Sequence, residues 1–282
     1  MSSPNTLPVN HPVHPSQYQG FSTEELRQHF LVSNLHKENV LNLTYTHYDR
    51  LITGTLIPVN SEILLTNFIN LKSEYFLERR EMGIINVGGS GCICANGTTF
   101  DLDKYDCLYA GKGIREIKFT SVEGKNPAIF YLLSSQAHKE FPLTCMKAAE
   151  ASPLSIGSSA TSNERTIYKY IHLEGIQSCQ LVMGLTILKN GSVWNTMPAH
   201  IHDRRSEIYF YFDIPDEQRV MHFMGEPNRT RNLVVNNLEA VLSPSWSIHA
   251  GCGTASYSFI WGMAGENKDY TDMDPFPAAQ LF

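Results

Sequence analysis

Pro198-Ala199-His200-Ile201-His202-Asp203-Arg204-Arg205-Ser206-Glu207, followed at once by Ile208-Tyr209-Phe210-Tyr211-Phe212, is the most informative run of the chain. Side chains alternate along a strand, so His200 and His202 face one side, with Pro198, Thr196 and Trp194 behind them on that face. Glu207 lies an odd number of residues past His202 and would point away on one unbroken strand. The polar Asp203–Ser206 stretch reads as a turn that resets the register and lets the carboxylate open the next strand. Beyond it, Tyr209 and Tyr211 alternate onto the face of Glu207. An isolated His-x-His is more often a surface coincidence than half of a metal site, and the nearby carboxylate with an aromatic strand behind it favours the site. A fourth ligand candidate is His249 in Ser243-Pro244-Ser245-Trp246-Ser247-Ile248-His249-Ala250-Gly251, a short strand or turn closed by small residues where a return strand could come back.

Outward from this run the pattern is strands and turns. Val40–Tyr45 and Ile129–Leu133 are β-branched, aromatic and aliphatic runs, and Asn96-Gly97 between Cys94 and Thr98 is the dipeptide of tight hairpins. Ahead of them, Ser22 and Glu25 form a capping box for a short helix that ends near Leu31, with Phe21 stapled to Leu26. A second strand-rich half follows a stretch rich in Ala, Ser, Gly and Pro. The reading is an all-β, mainly antiparallel chain of two barrel- or sandwich-like halves with few short helices. Its parts are an N-terminal arm (1–20), a first half without a metal site (21–134), a linker or crossover (135–165) and a second half with the site (166–282).

The two halves carry a weak repeat. Glu78-Arg79-Arg80-Glu81 before a strand matches Asp203-Arg204-Arg205-Ser206-Glu207 before a strand, yet neither alignment register puts a histidine in the first half. The first half is therefore expected to be structural or part of an interface.

Composition excludes several classes. A net charge of −6 with no long basic run gives no nucleic-acid surface. No stretch approaches the roughly 20 apolar residues of a bilayer span, and the N-terminal residues do not read as a secretory signal, so a cytoplasmic location is expected. The six scattered cysteines read as reduced thiols, Cys92 and Cys94 as core. Three imidazoles and one carboxylate suit a divalent Zn, Mn, Fe, Ni or Co ion.

The His-x-His, later Glu and distant His resemble the cupin superfamily. A closer resemblance is carried by Tyr75–Glu81, Thr161–Ile167, Trp194–His200, Ser243–His249 and Phe259–Met263. These motifs, in order from about Glu24 to Asp274, are similar to those of the 5-keto-4-deoxyuronate isomerases. That resemblance implies a bicupin of two jelly-roll-like halves, commonly hexameric, with one zinc ion per subunit. The substrate it implies is a small keto-uronate released from pectin or glycosaminoglycans, with no nucleic acid or membrane as partner. It also carries the ligands over as His200, His202, Glu207 and His249.

Such an isomerisation moves hydrogen between neighbouring carbons through a transition state with negative charge on oxygen, which a divalent ion stabilises. Glu207, Tyr209 and Tyr211 are the candidates for moving the proton, although the tyrosines also read as barrel lining. Arg165 and Lys169, of one strand parity, are candidate partners for the substrate carboxylate, with Thr196 and Trp246 shaping the pocket. His222 reads as a buried strand residue. The competing readings are a cupin dioxygenase, a non-catalytic sugar-binding cupin and, within the same enzyme class, a 5-deoxy-glucuronate isomerase.

Overall fold

The computed structural model describes residues 5–265 and 272–282. The first four residues of the expected arm, and residues 266–271 of the second half, lie outside the described residues. The chain divides into two compact units: residues 1–10, 35–151 and 170–182 form the first, and residues 11–34, 152–169 and 183–282 the second.

In the first unit a seven-stranded sheet runs in the order Val9–Asn10, Leu41–Thr46, Ile52–Leu56, Phe130–Gln136, Arg80–Asn86, Cys107–Ala110 and Thr144–Met146. A four-stranded sheet, Ile63–Leu64, Ile117–Ser121, Gly91–Ala95 and Thr98–Leu102, completes it. Met82 and Ile84 of the larger sheet share one apolar core with Ile93, Ala95, Ile117 and Phe119 of the smaller, so the unit is a sandwich. Asn96 (φ 46°) and Gly97 (φ 83°) make the two-residue hairpin between Gly91–Ala95 and Thr98–Leu102, the positive-φ pair that an Asn-Gly turn supplies.

The second unit repeats the plan. Its seven strands run Leu154–Ile156, Arg165–Ile171, Val182–Leu188, Ser258–Gly265, Arg205–Phe212, Glu239–Ser243 and Leu31–Val32. Its five run Arg229–Val235, Val220–Glu226, His249–Gly253, Trp194–Ile201 and Asp274–Phe276. Pairing is antiparallel through most of both units, while Val9–Asn10 runs parallel to Tyr45–Thr46. Arg80 and Arg205 each open the fifth strand in the order of their seven-stranded sheet, which aligns the repeat on its arginines and sets Met82 in the place of Glu207.

The capped helix is Thr23–Phe30, with Ser22 accepting from the Glu25 amide and Glu25 accepting from the Ser22 amide. Phe21 stacks on His29. The strand that follows, Leu31–Val32, pairs antiparallel with Val241 and Ala240, so residues 11–34 belong to the second unit. Residues 144–151, in the stretch read as a linker, form a strand and a short 3-10 turn grouped with the first unit.

Candidate metal centre

His200 stands near the end of Trp194–Ile201, His202 just beyond that strand, Glu207 third in Arg205–Phe212, and His249 first in His249–Gly253. The turn between Ile201 and Arg205 performs the register reset expected from its polar sequence, and brings the carboxylate round to the imidazoles. His200 and His249 are cross-strand partners on the five-stranded sheet, and Glu207 reaches them from the seven-stranded one. One potential ligand atom from each of the four residues lies within 4.8 Å of all the others. His249 Nε2 is 2.9 Å from His200 Nε2 and 3.0 Å from Glu207 Oε2, and His202 Nε2 is 3.2 Å from the same oxygen.

The chemistry of this donor set fits a cation. Burial, followed by the neighbouring His249, pulls the His200 imidazole down to about 3, so it is neutral at ordinary pH with a lone pair to offer. Burial alone would push the Glu207 carboxyl up, but the facing His249 and His202 rings outweigh it and hold it well below the usual carboxylate range. His202 Nε2 and Glu207 Oε2 are fully buried and make no hydrogen bond among the described residues. Buried nitrogen and carboxylate atoms that face each other at 3.0–3.2 Å in this way are costly unless something between them accepts their lone pairs. Donors about 3 Å apart are what ligands of one ion bonded at about 2.0–2.2 Å present to each other.

The outer nitrogens are also held. Asp272 Oδ1 sits 3.2 Å from His202 Nδ1 and takes a 2.6 Å ion pair from the buried Arg205. Ser243 Oγ lies 3.2 Å from His249 Nδ1. A carboxylate or hydroxyl on Nδ1 fixes which nitrogen each ring turns inward. Neither Asp272 nor Ser243 was expected from the sequence. Ser243 has a signal in hindsight, because it is the cross-strand partner of Glu207, whereas Asp272 lies in a polar tail with no periodicity.

A cavity of about 480 Å³ opens over the cluster, lined by His200, His202, Glu207, Thr196, Pro198, Tyr209, Arg165, Ile167, Trp261 and further apolar side chains. Its volume falls in the range of roughly 300–1,000 Å³ common for small-molecule sites. The Tyr209 hydroxyl is 3.2 Å from Thr196 Oγ1, and Arg165 donates to the Asn163 carbonyl at 2.8 Å. Trp261 donates to Thr186, and a side chain at Gly184 would strike its indole ring, so glycine there leaves room for this wall.

Several residues singled out from the sequence lie elsewhere. Trp246 stacks on Tyr18 and meets Phe30 edge-on, sealing the helix against the unit; it is not in the cavity lining. Tyr211 shares the face of Glu207 and Tyr209 but lies deeper, its hydroxyl 2.7 Å from Nδ1 of the buried His222. Burial, above all, raises the Tyr211 phenol and lowers His222 to about 3. Lys169 shares parity with Arg165 but does not line the cavity. Trp194 stacks on Phe223 away from the pocket, because the strand breaks register between Asn195 and His200, with Thr196 at φ 53°.

The family model for the KduI/IolB family matches residues 35–276. The chain is 50% identical over 275 residues to a 4-deoxy-L-threo-5-hexosulose-uronate ketol-isomerase of Caldicellulosiruptor bescii, covering 98% of this chain and all of that one. It is 53% identical over 260 residues to the protein of that name from Halalkalibacterium halodurans, covering 92% and 94%. Among solved structures it is similar to an IolB-like protein of Salmonella typhimurium, with a TM-score of 0.72 at 14% identity over 88% of this chain and 96% of that one. An oxalate decarboxylase of Bacillus subtilis, described with Mn(II) centres, superposes with a TM-score of 0.54 at 10% identity over 80% and 71%. These last two likenesses show the cupin-like fold.

Proposed function

The chain belongs to the KduI/IolB family and is a ketol-isomerase, and we propose that it converts 5-dehydro-4-deoxy-D-glucuronate, also named 4-deoxy-L-threo-5-hexosulose uronate, into 3-deoxy-D-glycero-2,5-hexodiulosonate. In this reading it serves the breakdown of uronates from pectin or glycosaminoglycans in the cytoplasm, as a homo-oligomer, by resemblance a hexamer. The observation that supports this substrate best is identity of about one half, over nearly the full length, to relatives named for it.

His200, His202, Glu207 and His249 would hold one divalent ion per subunit, zinc by resemblance. When bound, such an ion supplies electrophilic stabilisation of the oxygens that gain negative charge as hydrogen moves between neighbouring carbons. Asp272 and Ser243 orient two of the imidazoles. Arg165 offers its guanidinium to the carboxylate at the far end of the substrate, a charge-assisted contact that fixes which end lies over the cluster. The apolar walls, Ile167 and Trp261 among them, exclude water from that contact and strengthen it. Tyr209, with its hydroxyl on Thr196 Oγ1, is the cavity-lining group placed to hold or pass a proton at a substrate oxygen. Tyr211 is hydrogen-bonded to His222 outside the cavity lining, so it supports Tyr209 by packing, at 6.1 Å between ring centroids.

The test is product NMR on purified protein given the keto-uronate with and without chelator. Conversion without oxygen uptake, stopped by chelation and restored by zinc, is the expected result. Oxygen-dependent turnover, or binding without conversion by metal-loaded protein, would overturn the assignment. Faster turnover of 5-deoxy-glucuronate would move the substrate to the related isomerase.

A further inference from the structure

The repeat places a second pair of arginines, Arg79 and Arg80, in the unit where no metal-type cluster of histidines is found among the described residues. We propose that Arg80, with Arg50 and Arg79, forms a binding site for a small oxyanion, a carboxylate or phosphate group, within the first unit.

The site is a cavity of about 190 Å³ whose lining includes Tyr45, Arg50, Arg79, Arg80 and Gln136, and no acidic side chain. Arg80 forms the buried part, 6% exposed, while Arg50 and Arg79 are exposed at the rim. Arg80 donates from Nε to Ser134 Oγ at 3.0 Å, and from Nη2 to the carbonyls of Ser134 at 2.8 Å and Arg50 at 2.7 Å. All three acceptors are neutral. Nη1 makes no hydrogen bond among the described residues, and Tyr45 lies beneath the guanidinium at 5.9 Å. The Gln136 Nε2 donor is buried with no partner among the described residues.

A buried guanidinium without a paired counter-charge is costly, and no acidic side chain among the described residues hydrogen-bonds to Arg80. Glu81, the next residue, is already used: it accepts from Tyr109 at 2.7 Å, Ser135 at 3.1 Å and the amides of Cys179, Gln180 and Leu181 at 2.6–2.8 Å. In the second unit the equivalent Arg205 is neutralised by Asp272 at 2.6 Å. The first unit keeps the pair of arginines, sets Arg50 beside it and, among the described residues, has no acid in the place of Asp272. Guanidinium forks, a phenol and an amide donor around a small cavity recognise a planar or tetrahedral oxyanion, and the volume suits its head group with any remainder passing the rim.

The experiment titrates full-length, metal-loaded protein with inorganic phosphate and, separately, with D-galacturonate at fixed ionic strength, read by calorimetry and thermal unfolding. One of the two should bind and raise the melting temperature; which one does so tells phosphate from carboxylate. The combined Arg50→Ala and Arg79→Ala variant should weaken binding about tenfold or more, with isomerase activity unchanged. A His200→Ala, Arg165→Ala variant should bind within twofold of the parent, because the isomerase cavity is not involved. Gln136→Glu places a carboxylate in the site; it should raise the melting temperature of the free protein and remove the anion's effect. Binding by neither anion, binding lost with His200 and Arg165, or binding unchanged in the Arg50, Arg79 variant would each overturn the proposal.

Discussion

Arg80 and Arg205 begin equivalent strands in two units of one plan, and the residues around them have diverged in opposite senses. Two positions beyond Arg205 is Glu207, facing three imidazoles; two positions beyond Arg80 is Met82, packed among Ile84, Ile93 and Phe119. The second sandwich keeps a polar cluster and a cavity between its sheets, while the first fills the same space with hydrocarbon. A sandwich interior is a packed core by default, and a site there means giving up burial for groups that need a ligand to be satisfied. The first unit shows what the fold does when that demand is absent.

The comparison can be broken by exchanging its two key residues. Glu207→Met should lower kcat/KM about 10³-fold and abolish metal retention, yet leave the metal-free protein as stable as the parent or more so, since it removes a buried charge. Metal analysis with denaturant unfolding of the stripped protein checks both halves of that outcome. The reverse exchange, Met82→Glu, buries an unpaired carboxylate and should destabilise the first unit by about 3–5 kcal/mol in urea unfolding. A smaller effect is expected outside the cluster. Asp272→Asn should weaken metal affinity about 10- to 100-fold, measured by competition with a chromophoric chelator, without unfolding the chain. Least of all, Ser243→Ala should cost about 1 kcal/mol of metal binding, read in the same competition, because one neutral hydrogen bond is lost.

The clustering of His200, His202, Glu207 and His249 was legible because its logic is local. Period-two alternation puts His200 with His202, a polar turn resets Glu207, and a strand closed by small residues presents His249; each needs only a short window of sequence. The hairpin at Asn96-Gly97 and the capped helix at Ser22 were legible for the same reason. The cavity walls were not. The register break after Asn195 sends Trp194 away from the pocket that simple alternation assigned to it, and alternation alone cannot say that Arg165 lines the cavity while Lys169 does not. Trp246 sits in a motif shared with His249, but its ring serves Tyr18 and Phe30. Asp272 reaches His202 from 70 residues away, a contact that no pattern of hydrophobicity encodes.

The Leu31–Val32 strand sets a clock on biosynthesis. Its neighbour in the sheet includes Val241, paired with Leu31 and 210 positions later (241 − 31), so the ribosome must work for roughly 10–40 s after releasing one before it makes the other. Throughout that interval Tyr18 and Phe30 have no Trp246 to pack against, and the edge of a future sheet waits as an unpaired ribbon. Closing so long a loop is slow, so the second unit should be the last to mature and the one most dependent on chaperones while the chain is being made.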